Sequence, residues 1–498
     1  MYISELFQKW LHLNFIKPHT TPVLFAVASV AFYISFGYGL ERYEFVKLIT
    51  LYTALFISAY FLIERSKLSF GSLVFLGMVL RLVFLVAIPN LSQDFYRFLW
   101  DGRVLAQGVS PYLFTPEHYS EFALRLRSAP RALLDFNLKI PHAQQLIDGM
   151  GTLNASHFSN YPPVNQVFFA LAALFGGKSI LGSLMVLRLI IIMADLGILY
   201  FGKKILELLN LPASHIFWYF LSPFIIIELT GNLHFEGVML FFFIWGMYLL
   251  FRGRWFWAAV LIGLSVSVKL IPLLFLPIFF KYFCTPKLNK TSQVFKTCEV
   301  PGINSGSLFK FYSVIGLTVL ATFLPFISAE FLANFSKTTA LWFQNFEFNA
   351  SIYYIIRWIG FQTLGWNIIG TVGKVLPILV FLLVMGLSLF RKNETPKHLF
   401  ASMLFTITVY FLLSTTVHPW YLATPLLLSV FTKFKFPILW SFVVVLSYAA
   451  YGNDGFDENL WLVALEYVTV LFFVVWEVFE YETFSLEKEA KNWESGKK

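Results

Sequence analysis

Residues 180–202 read ILGSLMVLRLIIIMADLGILYFG, a predominantly apolar stretch with no proline. A helix needs about 20 such residues to span the hydrocarbon core, and a helix satisfies its own backbone polar groups there. Other stretches of similar character follow one another along the chain, at 20–40, 46–64, 70–90, 213–231, 236–251, 309–328, 370–390, 398–415, 417–432, 436–451 and 459–480. The sequence therefore predicts an all-α fold, a polytopic transmembrane helical bundle of about 12 to 14 spans.

Composition independently favours a membrane protein. The 498 residues are 58% hydrophobic and 13% charged, whereas soluble domains carry about 25% charged residues. The net charge of +9 does not indicate a nucleic-acid partner, because Lys and Arg fall in short clusters between the apolar stretches. Two cysteines are too few for a disulfide framework. The bilayer lipids are thus the expected surroundings of most of the chain.

The basic clusters predict orientation, since loops rich in Lys and Arg stay in the cytoplasm. The segments assigned to that side are 65–69, 203–212, 252–255, 284–308, 391–397, 433–435 and the Lys-rich tail. Counting the apolar segment 163–177 as a crossing would invert everything after it, so we expect an outer-leaflet or re-entrant helix there. The run 256–283 contains Lys269 and Pro272 and is interpreted as a hairpin of two half-length helices with Lys269 at its outer tip.

Six regions follow from this topology. They are N-terminal transmembrane helices at 1–90, a first outer loop with juxtamembrane helices at 91–178, a transmembrane core at 179–328, a second outer loop at 329–369, C-terminal transmembrane helices at 370–482 and a cytoplasmic tail at 483–498. The core region includes the hairpin and a cytoplasmic loop at 284–308. Function is expected to collect in the long first outer loop.

The first outer loop places charged residues at helical spacing just after the third span. Asp94, Arg97 and Asp101 would share one helix face, and Arg103 follows closely. They are candidates for binding a polar substrate at the membrane surface. The alternative is an interfacial helix whose charges are solvated or paired with each other.

Several motifs resemble those of one enzyme family. They are QDFYRFLWDGRVLAQGVSPYLFTP at 93–116, NYPPVNQVFFALAALFG at 160–176, GNLHFEGVML at 231–240, SVKLIPLLFLP at 267–277, FNASIYYIIR at 348–357 and TVHPWYLATPLL at 416–427. Their series resembles the bacterial mannosyltransferase-like members of glycosyltransferase superfamily C, which use polyprenyl-phosphate sugars. The resemblance covers most of the chain from about residue 90 to residue 430.

The resemblance implies that Asp94 is the catalytic base, which accepts the proton of the acceptor hydroxyl. A carboxylate suits this task because it is ionised near neutral pH. Many relatives carry a second acidic residue beside the first, but this chain has Gln93. That difference disfavours a metal site, so we predict a metal-independent reaction with no cofactor. His234 and Glu236 match polar positions that face the cavity in relatives, although an interfacial turn facing water is the alternative.

The donor phosphate needs a positively charged partner as it leaves. Lys269 is the first candidate, unless it merely extends to the lipid headgroups. His418 is a candidate for the carrier phosphate or a sugar hydroxyl, or it caps the helix before Pro419. Arg97 and Arg103 are further candidates for the phosphate, and Tyr161 is expected to shape the cavity wall.

These expectations describe an integral membrane glycosyltransferase. It would move a hexose, by resemblance mannose, from a polyprenyl-phosphate donor to a hydroxyl of a glycan, glycolipid or protein acceptor, with inversion. The resemblance places it in the bacterial plasma membrane with its active site on the periplasmic side. The alternative is a transporter or flippase of lipid-linked saccharide, but transporters commonly contain two similar halves with matching broken helices, and only one broken hairpin is found.

Overall fold

The computed structural model describes residues 13–119, 121, 138–284, 305–452 and 455–495, with the backbone alone at 13–19, 305, 342–344 and 481–495. Most of these residues are helical, and the described part of the chain contains one two-stranded hairpin. The predicted loop 284–308 falls largely outside the described residues, as do the last three residues of the predicted tail.

Three helices precede the first outer loop. They are α1 at Leu13–Gly39, α2 at Phe45–Tyr60 and α3 at Phe70–Leu82, and α2 is extended by a π-helical turn at Phe61–Arg65. Asn90 fastens the end of α1 to the chain beyond α3, because its side-chain amide donates to the carbonyls of Phe36 at 2.7 Å and Leu40 at 3.1 Å. This link brings the turn at 40–44 beside the start of the outer loop.

The first outer loop contains its own helical layer. Its elements are α4 at Asp94–Leu105, a 3₁₀ turn at Pro116–His118, α5 at Ala143–Ala155 and α6 at Pro163–Gly176. The backbones of α4 and α6 touch, since a Cβ at Gly102 would lie 2.1 Å from the carbonyl oxygen of Phe169. Only glycine fits such an approach. The next helix, α7, spans Ile180–Leu208.

The central part of the chain combines bent and straight helices. It contains a 3₁₀ turn at Ala213–Ile216, α8 at Phe217–Phe220, α9 at Pro223–Ile225, a π-helix at Ile226–Gly231, α10 at Glu236–Phe251, α11 at Trp255–Val268, a 3₁₀ helix at Ile271–Ile278, α12 at Phe279–Cys284, α13 at Ser305–Phe323 and a 3₁₀ turn at Leu324–Phe326. The helical segments 213–220 and 223–231 meet at a bend of 46°. Pro223 lies at this bend and lacks the backbone N–H that would continue the helix.

The chain reverses direction at Lys269. Helix α13 packs against the segment before Lys269 and against the segment after it, and its contacts show that these two segments run in opposite directions. Near its start, Phe311 lies 4.8 Å from the ring of Phe283, and near its end, Thr322 contacts the Ser267 hydroxyl at 2.7 Å. Residue 283 therefore lies near the start of α13 and residue 267 near its end, so that Lys269 is at the tip of a hairpin.

The C-terminal half begins with the second outer segment. Its elements are α14 at Ala329–Gln344, α15 at Ile352–Leu364, α16 at Ile369–Phe390, α17 at Pro396–Leu412, a 3₁₀ turn at Pro419–Leu422, α18 at Ala423–Ser429, α19 at Phe436–Val443, a 3₁₀ helix at Val444–Ala450, β1 at Tyr451–Gly452, β2 at Gly455–Phe456 and α20 at Leu460–Ser495. The strands pair antiparallel, with Tyr451 opposite Phe456.

The described residues contain six helices long and apolar enough to cross a membrane, or seven if the bent pair is one span. They are Thr20–Gly39, Phe45–Arg65, Ile180–Leu208, Gly306–Phe326, Ile369–Phe390 and Leu460–Glu480. Six shorter apolar helices accompany them, including Phe70–Leu82 and Glu236–Phe251. The chain is thus a multi-pass, all-α membrane protein, as its sequence predicts. The figure of 12 to 14 crossings requires most of the shorter helices to count and stays a prediction.

Arg81, Asp195 and Arg188, three charged side chains inside the bundle, have hydrogen-bond partners on other elements. Arg81 and Asp195 are fully buried and form an ion pair at 2.8 Å, and Tyr219 donates to the same carboxylate at 3.0 Å. Arg188 donates to the carbonyls of Thr230, Gly231 and Leu85, each at 3.1 Å. An unpaired charge would be costly at these positions. Arg188 thereby holds the end of the π-helix that leads into the second outer motif.

Residues in or next to four of the basic segments predicted to share one side of the membrane, 252–255, 284–308, 391–397 and 433–435, contact each other. Lys281 donates to the carbonyl of Arg391 at 2.9 Å, and the Phe400 ring lies 5.7 Å from Phe251 and 4.5 Å from Phe431. Helix α10 separates this end from Glu236 by about 22 Å along its axis, at 1.5 Å per residue. The described residues next to these four basic segments and the candidate site therefore occupy opposite ends of the bundle.

Helix α6 starts at the level of the hairpin tip. The Asn165 amide donates to the carbonyl of Val268 at 3.0 Å, next to Lys269. The ring of Phe169 lies 5.2 Å from Phe235, in the second outer motif. These contacts place the segment 163–177 beside the outer turns, consistent with a helix that does not cross.

Candidate active site

Asp94 is the first residue of α4, where a carboxylate is favoured by the helix dipole. Its backbone N–H donates to the Ser92 hydroxyl at 3.3 Å. One residue earlier, the Leu91 N–H donates to the side-chain carbonyl of Asn232 at 3.2 Å. This bond joins the first outer loop to the second outer motif, so that Asp94 faces the residues that follow Asn232.

The Asp94 carboxylate lies in a mixed environment. Its side chain is only partly exposed, the Asn154 side chain is a hydrogen-bond partner, and Lys269 and Arg42 act on it as cations. Burial raises the pKa of this carboxyl, while the two cations and Asn154 act in the opposite direction. Asp94 is therefore a stronger base than an exposed aspartate and is still held beside positive charge.

Gln93, the residue before Asp94, has a structural contact. Its side-chain amide donates to the carbonyl of Met150 at 3.0 Å, on α5. Gly151 follows with a φ of +75°, a conformation that favours glycine, and a Cβ there would meet the Gln93 amide at 3.0 Å. Gln93 thus fastens α5 to α4.

The second outer motif forms a tight turn at 232–235. Leu233 has a φ of +65°, and the backbone N–H of His234 donates to the carbonyl of Glu228 at 3.4 Å. The turn leads directly into α10, whose first residue is Glu236. His234 and Glu236 are both buried. The interpretation of an interfacial turn facing water therefore does not fit this motif.

Lys269 forms an ion pair with Glu236. The Lys269 side chain is 17% exposed, and its ammonium group lies 5.6 Å from the centre of the Tyr421 ring. The other carboxylate oxygen of Glu236 is buried without a hydrogen-bond partner among the described residues. Lys269 thus lies at the site instead of extending into the headgroups, although part of its charge is balanced by Glu236.

His418 lies in an aromatic stack. Its ring is parallel to that of Trp420 with centroids 4.5 Å apart, and the other face of the stack is His234, at 3.7 Å from Trp420. The residue is partly exposed, and its Nδ1 has no hydrogen-bond partner within the described chain. Its side chain forms no capping hydrogen bond with the 3₁₀ turn that follows. Its geometry fits the binding hypothesis better than the capping alternative.

Tyr161 packs among aromatic rings of the first outer loop. Its ring packs edge to face on Phe98 at 5.1 Å and on Phe169 at 5.6 Å. Asp94 and Tyr421 are among its electrostatic neighbours. The expected role of Tyr161 in shaping the cavity wall stays a prediction.

Three predicted substrate-binding residues have partners inside the loop. Arg97 and Asp101 form a buried ion pair at 2.8 Å, and Arg97 also donates to the carbonyls of Asn154 and His157, both at 2.8 Å. The carboxylate of Asp101 accepts from Ser159 and Gln166. These contacts favour a structural role for the pair, which is the alternative that the sequence leaves open.

Arg103 behaves in the same way. It is buried, and its guanidinium donates to the carbonyls of Pro141 and Lys178, the second at 3.2 Å. It therefore connects α4 to the chain before α5 and to the turn before α7. Substrate binding by Arg97, Asp101 and Arg103 stays a prediction.

Two site residues escape the sequence analysis. Arg42, in the turn between α1 and α2, lies near Asp94, Glu228 and His418. Glu228, in the π-helix, accepts from the Tyr448 hydroxyl at 2.8 Å. A carboxylate inside the apolar stretch 213–231 is itself a signal of function. No comparable signal marks Arg42, a charged residue in a short outer turn.

The described residues contain no group of three or more His, Cys, Asp or Glu that could hold a metal ion. The predicted metal independence has to be tested by chelation.

Comparison with known proteins gives one match. A family model described as alpha-(1->6)-mannopyranosyltransferase, N-terminal domain, matches residues 27–284. No curated protein and no solved structure matches the chain significantly. The matched range includes the turn at 40–44, the first outer loop, the second outer motif and the Lys269 hairpin.

Proposed function

Because the chain belongs to the alpha-(1->6)-mannopyranosyltransferase family, and is therefore a membrane mannosyltransferase, we propose that it takes mannose from a polyprenyl-phosphate donor. The acceptor is a hydroxyl of a glycan, glycolipid or protein at the outer face of a bacterial plasma membrane. The observation that carries the proposal is that Asp94 lies close to Lys269 and Arg42, and that both cations also act on His234 and His418. All five residues lie at the end of the bundle opposite the basic segments.

In the proposed reaction, Asp94 accepts the acceptor hydroxyl proton while the oxygen attacks the anomeric carbon. The bond from that carbon to the phosphate oxygen breaks, and its electron pair leaves with the phosphate. Cations close to Asp94 stabilise the departing phosphate. A single displacement inverts the anomeric centre, so an alpha product requires a beta-linked donor.

The site geometry also bears on the transporter alternative. A general base held beside cations on a helical outer loop serves a chemical step, whereas a carrier needs a pathway that opens to each side in turn. The match to a transferase family also supports the enzyme.

The test is transfer from polyprenyl-phosphate mannose by the purified protein, with Asp94→Asn as the variant. Released polyprenyl phosphate and mannosylated acceptor are measured together. We expect kcat to fall by about 10² to 10⁴-fold, since general base catalysis contributes on that order. Asp148→Asn, at an exposed carboxylate on α5, is the matched control and should retain activity. Full activity of Asp94→Asn would exclude Asp94 as the base.

The same assay tests metal independence. Activity in the presence of a strong chelator should equal that in its absence. A loss restored by a divalent cation would overturn this part of the proposal.

A further inference from the structure

Arg42 is held in a defined turn at the outer end of α1. The Glu44 N–H donates to the carbonyl of Glu41 at 3.0 Å, which closes the turn over Arg42 and Tyr43. The Glu44 carboxylate is used within the turn, because it accepts from the Glu41 N–H at 2.8 Å and pairs with Lys47 at 3.0 Å. Asn90 fixes the preceding end of α1. The nearest acidic residues in sequence are therefore not ion-pair partners of Arg42.

The guanidinium of Arg42 lies against an aromatic ring. Its central carbon is 3.3 Å from the centre of the Tyr451 ring, at the base of the β hairpin. Stacking of this kind fixes the plane of an arginine and leaves its N–H edge available for hydrogen bonds. Tyr451 thus orients Arg42 without using its donors.

The Arg42 donors lack partners within the described chain. Its Nε is buried and forms no hydrogen bond there, and no carboxylate of the described residues lies within ion-pair distance. A buried, unsatisfied charged donor is costly unless a ligand satisfies it. Lys269 differs, because Glu236 already pairs with it.

The surroundings of Arg42 belong to the site. Its electrostatic neighbours include the following residues of the site: Asp94, Glu228, His234, His418 and Tyr448. His418 adds a second buried nitrogen, Nδ1, without a described partner. Arg42 and His418 thus offer nitrogen atoms without described partners close to Asp94, the proposed base.

We propose that Arg42 binds the phosphate monoester of the polyprenyl carrier, with His418 as its neighbour in the same phosphate site. This inference rests on the proposed function and names the group that receives the leaving phosphate. Guanidinium groups form paired hydrogen bonds with phosphate oxygens, which suits a planar, preoriented arginine. Lys269, balanced by Glu236, then contributes charge from the hairpin tip.

The test measures binding of polyprenyl monophosphate and of phosphate-free polyprenol to the full-length protein in detergent. The variants are Arg42→Gln and Arg42→Lys, with Arg252→Gln, at an exposed arginine on the basic end, as the matched control. Arg42→Gln should raise the Kd for polyprenyl monophosphate at least about tenfold, since a charge-assisted hydrogen bond contributes that much. The Kd for polyprenol should not change, and Arg42→Lys should be intermediate.

Two results would overturn the phosphate site. One is an equal loss of affinity for polyprenol in Arg42→Gln. The other is displacement of polyprenyl monophosphate by phosphatidic acid at equal concentration, which would indicate a general lipid-phosphate site. If Arg42→Gln fails to fold, Arg42→Lys decides, because a folded Arg42→Lys with wild-type affinity excludes the paired hydrogen bonds.

The binding assay separates this inference from the proposed function. A wild-type protein that binds polyprenyl monophosphate through Arg42 but transfers no mannose would disprove the proposed function alone. Transfer by the wild type with unchanged affinity in Arg42→Gln would disprove the Arg42 assignment alone.

Discussion

At the scale of single residues, the surroundings of Asp94 set the pKa of the proposed base. Partial burial disfavours its charged form, while Asn154, Lys269 and Arg42 favour it. The balance leaves the pKa of Asp94 above that of an exposed aspartate. A raised pKa gives the ionised carboxylate a greater proton affinity, which suits the proposed base.

The raised pKa of Asp94 predicts the pH dependence of catalysis. Because the base must be ionised, kcat/KM should fall as the pH decreases through the pKa of Asp94, at a higher pH than an exposed aspartate would give. Asn154→Ala removes a hydrogen bond that lowers this pKa, so the acid limb should move to higher pH. Profiles of kcat/KM against pH for both proteins test the shift.

The control for that profile is Gln145→Ala, an exposed side chain on the same helix, α5. Its acid limb should coincide with that of the wild type. An unshifted limb in Asn154→Ala would mean that Asn154 does not act on the base.

At the scale of elements, α4 serves both the site and the loop. Asp94 stands at its first turn, and Arg97 and Asp101 on later turns bind the chain that covers it. Helical spacing brings Arg97 and Asp101 together. It does not distinguish a substrate-facing cluster from an internal ion pair, because the partners at 154–166 are distant in sequence.

The variant Asp101→Asn separates the two roles. Breaking a buried ion pair costs about 3 to 5 kcal/mol, so we expect a large decrease in thermal stability. The donor KM of the folded enzyme should stay near the wild-type value, because Asp101 contacts the loop. Thermal unfolding and steady-state kinetics measure the two quantities.

A control is again Asp148→Asn, whose carboxylate is exposed. An increased donor KM with an unchanged unfolding temperature in Asp101→Asn would instead support the substrate-binding role that the sequence suggests.

At the scale of the whole molecule, the bundle has two chemically distinct ends. One end joins the basic segments, and the other joins the turn at 40–44, the outer loop, the second outer motif and the hairpin tip. Positive loops stay in the cytoplasm, so the catalytic end is predicted to face the periplasm.

Cysteine labelling in intact bacterial cells tests this orientation. In a background with Cys284→Ser and Cys298→Ser, Glu117→Cys in the outer loop should react with a membrane-impermeant maleimide. Arg252→Cys, at the basic end, should react only after the inner membrane is permeabilised. Both positions are exposed, so their accessibility depends on the side of the membrane. The reverse pattern would invert the topology.

The sequence by itself determined the membrane class, because runs of apolar residues such as 180–202 leave no other way to satisfy the backbone in lipid. It also supplied Asp94, His234, Glu236, Lys269 and His418 as candidate site residues, because they lie in polar motifs at the ends of apolar runs. Their environments were decided by the tertiary structure. The same stretch 180–202 contains Arg188 and Asp195, whose partners at 230–231 and at Arg81 come from other helices. Arg42 joins the site only because Asn90 and Tyr451 hold its turn there. Contacts between residues so far apart in the chain produce no periodicity or motif in the sequence, so only the tertiary structure shows them.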